Sequence, residues 1–252
     1  VFPVTSCVYW FCSCYFILYL SIPLLNRILA ALTRAQFRFM LLLLFLVFSL
    51  WQTICFWSDT ARVENGYSYV WFFVLYFTAA YISIYQIRLS SALCLLLYVV
   101  FSLLSVLTRI FGSGVETRLG LEGLINTLGG YQSPFVYLAS ICFFLLFQNV
   151  KIRGDRPKKI ILALAPLSFG VYLLHDSDFI REFLWKTISL PRFGSLLPSL
   201  AYLAASIVCI TCAAYLVDSL YQRFYRLVFR KKVERKVDEI TERIYRSIKK
   251  GE

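Results

Sequence analysis

Charge is scarce in this sequence. Asp, Glu, Lys and Arg make up only 16% of its 252 residues, where a soluble globular chain carries roughly 25%. With 60% hydrophobic residues and a mean hydropathy of +0.70, a soluble fold is excluded, because a core of this size cannot hide so much apolar surface. The shortage of charge and the 18% aromatic content equally exclude a disordered chain. The apolar runs lack the alternation of a membrane strand barrel. No glycine cluster forms a phosphate cradle after a strand, so nucleotide binding is not indicated. No internal repeat is visible, and histidine occurs once, at His175.

What is present is a series of long apolar runs. A helix needs about 20 apolar residues to cross a bilayer, and seven stretches approach or meet that: Val8–Leu25, Phe39–Trp57, Tyr69–Tyr85, Ser91–Leu107, Pro134–Val150, Ile160–His175 and Leu197–Val217. The sixth is short and carries Pro166, which a membrane helix tolerates where neighbours satisfy the freed carbonyl. The expected fold is an all-α polytopic membrane bundle of about seven helices. A basic amphipathic cytoplasmic helix succeeds it, so that residues 1–218 form the membrane domain and 219–252 the tail.

The net charge of +12 would point to nucleic acid in a soluble protein, but here it is sided, and no nucleic-acid partner is expected. Arg27, Arg34 and Arg38 lie between the first two spans. Five cations face a single Asp155 between the fifth and sixth, and the tail from Asp218 has eleven Lys/Arg against six Asp/Glu. The intervening connections are neutral or acidic, apart from the third, which holds Arg88 alone. Alternate connections are thus positive, which places the tail in the cytoplasm and residue 1 outside. The chain opens Val1-Phe2-Pro3 with no basic leader. An odd number of preceding spans would restore a cytoplasmic start, so the sequence is expected to be the later part of a longer polytopic protein.

Eight cysteines, seven of them inside spans, suit small apolar packing. Cys209 and Cys212 have the C-x-x-C spacing but no second ligand pair, so neither a metal site nor a disulfide framework is expected. In the tail, Leu220, Phe224, Leu227 and Val228, then Val233, Val237, Ile240, Ile244 and Ile248, trace an apolar stripe suited to the headgroup region. A coiled-coil seam is the sharper alternative, but the heptad lasts only about two repeats. Thr108–Ser133 is expected as the longest outer connection, flexible, with Leu119–Leu128 as a short surface helix.

Ser168–Asp176 is the most informative stretch. His175 ends a span beside Asp176, with Asp178, Arg181 and Glu182 close behind. An imidazole titrates near physiological pH and can act as a general base, but a lone histidine at an interface is also a common amphipathic end-residue. Arg88, at an inner span end, could meet a CoA phosphate or a lipid headgroup.

Pro166-Leu-Ser-Phe-Gly-Val-Tyr-Leu-Leu-His175 resembles the late-span motif of the bacterial integral-membrane acyltransferase family 3, and Asp176–Lys186 resembles the adjoining loop of its cell-surface polysaccharide branch. Tyr9-Trp-Phe11 through Leu18-Tyr-Leu20 to Pro23-Leu-Leu-Asn26 is similar to its Trp-Phe…Leu-Tyr…Pro-x-Leu-Asn span. Tyr76-Phe-Thr-Ala-Ala-Tyr81 resembles its Leu-Tyr-x-x-Gly-Gly-Tyr span, with Ala79 and Ala80 where the family has glycines. Ser133-Pro134 to Phe147 is similar to its Ser-Pro…Ser-Ile…Phe span. The resemblance runs from about residue 2 to about residue 217.

It implies a ten-span O-acyltransferase of the bacterial cytoplasmic membrane. Such an enzyme passes an acetyl or short acyl group from acyl-CoA, a co-substrate rather than a bound cofactor, to a sugar hydroxyl of an envelope polysaccharide or glycolipid. The family's Arg and His of the first span find no match and are expected upstream of residue 1. From the motif, His175 carries over as the candidate catalytic contact. Tyr172, Asp176 and Arg181 are candidate substrate contacts, and Arg88 a weaker one for CoA. A glycan transporter or polymerase, or a non-catalytic membrane remnant, are the rivals. The transporter is disfavoured by span centres nearly free of charge and by the missing repeats.

Overall fold

The structure is a computed structural model that describes residues 9–59, 61–187, 195–229 and 235–236. Among these residues every regular element is helical, as the continuous apolar runs require. The chain divides into two compact units, residues 1–151 and 152–252.

In the first unit, α1 (Trp10–Ala31) and α2 (Arg34–Ile54) are joined by a two-residue connection. Thr33 makes that turn abrupt through a capping box: its hydroxyl accepts from Gln36 N at 3.3 Å, and the Gln36 side-chain carbonyl accepts from Thr33 N at 2.9 Å. Two orphan amide donors at the start of α2 are thereby satisfied. Residues Leu46–Trp51 of α2 form a π-helix, a rare geometry that is frequent at functional sites. Next come α3 (Tyr69–Ile84), α4 (Ser91–Leu119), the short α5 (Leu124–Leu128) and α6 (Pro134–Gln148). Ser90 caps α4 through Leu93 N, and Gly120 ends it in the left-handed conformation, as helix C-termini favour.

Helices α4 and α6 share the most extensive contact, while α3 packs on both α1 and α2. Among the described residues the core lies in three small clusters: Val63, Trp71, Val74 and Tyr137; Leu25, Phe37 and Phe77; and Ile82, Cys94 and Leu145.

The second unit comprises α7 (Asp155–Leu164), a single 3₁₀ turn at Ala165–Leu167, α8 (Ser168–His175), α9 (Asp178–Thr187) and α10 (Leu196–Val228). The 3₁₀ turn sits at Pro166, whose missing amide hydrogen interrupts the α-helical ladder.

Among the described residues, five helices are long and apolar enough to cross a membrane: Trp10–Ala31, Arg34–Ile54, Ser91–Leu119, Asp155–Leu174 and Leu197–Val228. The other two apolar segments, Tyr69–Ile84 and Pro134–Gln148, are 16 and 15 residues, about 24 and 22 Å long against a hydrocarbon core of about 30 Å. No more than 17% of any crossing-length window is buried within the protein. Apolar surface on that scale is stable only against lipid, and the chain is a multi-pass membrane protein.

Two sequence expectations need correction. Thr108–Ser133 is not a loop throughout, since α4 remains helical to Leu119 and the expected surface helix shrinks to Leu124–Leu128. The last span does not stop at Val217. Helix α10 continues unbroken to Val228. Beyond Phe229 only Arg235 and Lys236 are described, so most of the tail stripe lies outside the described residues.

Candidate active site

The motif residues of the first unit meet one another. Asn26, near the C-terminal end of α1, accepts a hydrogen bond from the Tyr76 hydroxyl of α3 at 2.6 Å. Ala80, where the resemblance expects glycine, packs against the Leu25–Phe37–Phe77 cluster, and Ala79 lines an apolar cavity of about 160 Å³ with Ser140 and Phe144. Ser133 is fully buried, and its carbonyl accepts from Tyr137 N at 2.9 Å as Pro134 opens α6. Pro needs no partner there, because the first amides of a helix have none to find. One turn on, Tyr137 and Thr78 hydroxyls lie 2.6 Å apart. Thr78 gives its hydrogen to Val74 O at 2.8 Å, which leaves Tyr137 as the donor between the two. Three sequence-distant motifs are thus tied together by hydrogen bonds that α3 makes from opposite faces to α1 and α6.

The second unit carries the late-span motif. Helix α8 ends where Asp176 N reaches Tyr172 O at 3.1 Å and the Ser177 hydroxyl folds back onto Leu174 O at 3.1 Å. Helix α9 then starts almost at once, and Arg181 N bonds Ser177 O. This short break brings Asp176 and Arg181 together: Oδ1 and Nη1 are 3.6 Å apart, with the Arg181 side chain 51% exposed and Asp176 21%. A half-exposed pair at that distance contributes about 0–1 kcal/mol, so it orients the side chains more than it holds the fold. The Tyr172 hydroxyl is buried, and its ring lies 6.1 Å from Phe169. His175 is the last residue of α8, one turn beyond Tyr172, and its side chain lies outside the described residues.

Gly170, inside the same motif, marks a residue that the sequence pattern overlooked. A Cβ there would strike the carboxylate of Asp218 on α10. The absence of a side chain is what lets the two helices approach with a carboxylate between them. Asp218 Oδ2 accepts from Gln222 Nε2 at 2.8 Å. In the sequence Asp218 looks like the first residue of the polar tail. In the structure it occupies the packed stripe Ser206, Ile210, Ala214, Asp218, Gln222, all of them at least partly buried. The four-residue spacing of small and polar residues was the available signal. An acidic residue on the inward face of a membrane-crossing helix is a functional-site candidate by default, because burying it there is costly.

Arg88 belongs to the first unit, in an exposed turn between α3 and α4. Its Nη2 is 3.4 Å from Gln86 Oε1, and Gln86 Nε2 donates to Ser83 O. At the same end, the Arg34 guanidinium stands 4.9 Å from the centre of the Tyr85 ring, close enough for a cation–π contact. The structure therefore gathers Tyr172, Asp176 and Arg181 around one helix break, adds Gly170 and Asp218 to the motif, and leaves Arg88 in a separate cationic turn.

Among known proteins, a family model described as an acyltransferase domain, that of acyltransferase family 3, matches residues 2–218. No curated protein matches, and no solved structure matches.

Proposed function

The chain belongs to acyltransferase family 3, and we propose that it transfers an acetyl or other short acyl group from acyl-CoA to a sugar hydroxyl of an envelope polysaccharide or glycolipid. The family match across residues 2–218 carries this reading, and the mutual contacts of its motif residues agree with it. In this reading the protein resides in the bacterial cytoplasmic membrane with its C-terminus inside, as its sided charge suggests.

In the reaction, the acceptor oxygen attacks the thioester carbonyl carbon while an imidazole takes its proton. The new C–O bond forms, the C–S bond breaks, and the thiolate leaves to recover a proton as CoA. A base matched to neutral pH is what this step needs. His175, the one imidazole of the chain, contacts the acceptor at the end of α8. Arg181 supplies a cationic donor for the developing oxyanion, held by Asp176. Tyr172 contacts the substrate from the preceding turn, and Asp218 positions α8 through Gly170. Arg88 meets a CoA phosphate at the first unit's cationic turn.

Membranes containing the protein, supplied with radiolabelled acetyl-CoA and envelope glycan, test the proposal. Label in ester linkage to the glycan is the expected result. Glycan movement across the membrane without transfer would instead assign a transporter, and neither activity would leave a membrane scaffold.

A further inference from the structure

A second polar site lies in the first unit, at the end opposite Arg88. A cavity of about 150 Å³ opens where the α2–α3 connection meets the α4–α6 connection, lined by Gln52, Asp59, Asn65, Asn126, Thr127 and Gln132, with Phe56 as an apolar wall. These are the two connections that the alternation of charge places outside.

Several independent features shape this cavity. The π-helix Leu46–Trp51 carries an extra residue, which rotates the downstream end of α2 by about 100° relative to a continuous α-helix. That rotation sets the Gln52 amide inward, 4% exposed. Ser49, within the π-helix, bonds the Gln132 carbonyl at 2.6 Å. The Asp59 carboxylate accepts from Val63 N and Glu64 N at 2.8 and 2.7 Å, and Arg62, Glu64 and Asn65 all take positive φ. Such a cluster within one loop is unusual for side chains other than glycine. Gly66, at φ +88°, presses against Tyr131, and Tyr131 N bonds Asn65 O at 3.0 Å, so the two connections are fastened together.

Two buried amides in this wall are incompletely used. Gln132 is 1% exposed, and its Nε2 donates to Asn65 Oδ1 at 3.2 Å. Its Oε1, and Nε2 of Gln52, find no hydrogen-bond partner among the described residues. Leaving a buried donor or acceptor unmet is unfavourable, and both side chains belong to the wall of the cavity. A spare donor and a spare acceptor from neutral amides suit a hydroxyl, which does both. Phe56 offers an apolar face for ring C–H groups. The Asp59 charge in the wall disfavours an anion. A cavity of that volume accommodates one small ring, as an apolar cavity of about 150 Å³ accommodates benzene.

We propose that this cavity is a binding subsite for a neutral saccharide unit. The choice of a saccharide over another neutral polyol rests on the acceptor assigned above; the cavity and its chemistry do not.

Purified protein in lipid nanodiscs, without acyl-CoA, is titrated with methyl α-glucoside and methyl β-galactoside, with glucuronate as the anionic counterpart, observing ligand by saturation-transfer NMR. Binding of at least one neutral glycoside is expected, with glucuronate weaker. Gln52→Met, which keeps the volume but removes the amide, is expected to weaken it by roughly threefold to tenfold. Should Gln52→Met fail to fold by size-exclusion elution, Asn126→Ala at the exposed rim takes its place with the same expectation. Absence of neutral-glycoside binding up to roughly 100 mM, well above a millimolar Kd, overturns the subsite and leaves the cavity to water. Unchanged binding in the folded variant does so as well. Because the titration contains no acyl donor, loss of the transfer reading would leave its result intact. Acyl transfer in a protein that binds no glycoside here would overturn the subsite alone.

Discussion

Tyr76 gives its phenolic hydrogen to Oδ1 of Asn26 at 2.6 Å, across the α1–α3 contact. Both residues come from stretches recognisable in the sequence, fifty positions apart. The bond ties the C-terminal part of α1 to α3 and fixes the level at which the two helices meet.

Such interhelical bonds average about 0.6 kcal/mol and reach about 1.7 kcal/mol. Tyr76→Phe, Asn26→Ala and the double variant, unfolded thermally in detergent, are expected to show a coupling in that range. Strictly additive effects would remove the bond from the account of α1–α3 packing.

Gly170→Ala places a methyl group where the Asp218 carboxylate stands. Overpacking of this kind costs about 1–3 kcal/mol. Adding Asp218→Ala to Gly170→Ala should recover most of the lost melting temperature. If the double variant melts no higher than Gly170→Ala, steric conflict with Asp218 is not the cause.

Three substitutions test the site at the α8–α9 break. His175→Ala is expected to lower acyl transfer by about 10-fold to 100-fold, as for loss of a substrate hydrogen bond, with normal membrane insertion. Arg181→Ala should lower it by about 10²-fold or more, as for loss of an oxyanion donor. Asp176→Asn should alter stability by no more than about 1 kcal/mol while lowering transfer more mildly than Arg181→Ala. Full activity in His175→Ala would end its candidacy.

Sidedness can be read with a membrane-impermeant maleimide on intact cells producing a cysteine-free background. Ser58→Cys, beside the polar cavity, is expected to react, and Gln86→Cys, in the Arg88 turn, only after permeabilisation. The reverse pattern would invert the topology argued from charge.

The helical, polytopic character was legible because uninterrupted apolar runs leave no other fold for the backbone in lipid. Helix ends were not. In α4, Gly112, Gly114 and the charged residues Arg109, Glu116 and Arg118 resemble loop punctuation. Yet Gly112 serves close packing, since a Cβ there would meet Leu128 at 2.7 Å. Ser113 and Thr117 spend their hydroxyls on carbonyls a turn back, Ile110 and Ser113. Hydropathy reports where a helix leaves the apolar layer, and both α4 and α10 continue past that point. The late-span motif was visible from Pro166 to His175. Its partner Asp218 was not, because a carboxylate after a run of apolar residues reads equally well as the edge of a tail. The π-helix has no compositional signature at all. Leu, Val, Phe, Ser and Trp at 46–51 suit an α-helix just as well, and the tertiary contact of Ser49 with the Gln132 carbonyl could not be read from the sequence.

That wide turn in α2 gives the lineage of this protein a single-codon switch. Deleting one residue between Leu46 and Trp51 would restore ordinary helical winding without shortening the span appreciably, and would swing Gln52 out of the wall it helps to build. Among homologues, a one-residue gap at this place should therefore travel with replacement of Gln52 and Gln132, dividing the family by what this cavity accommodates.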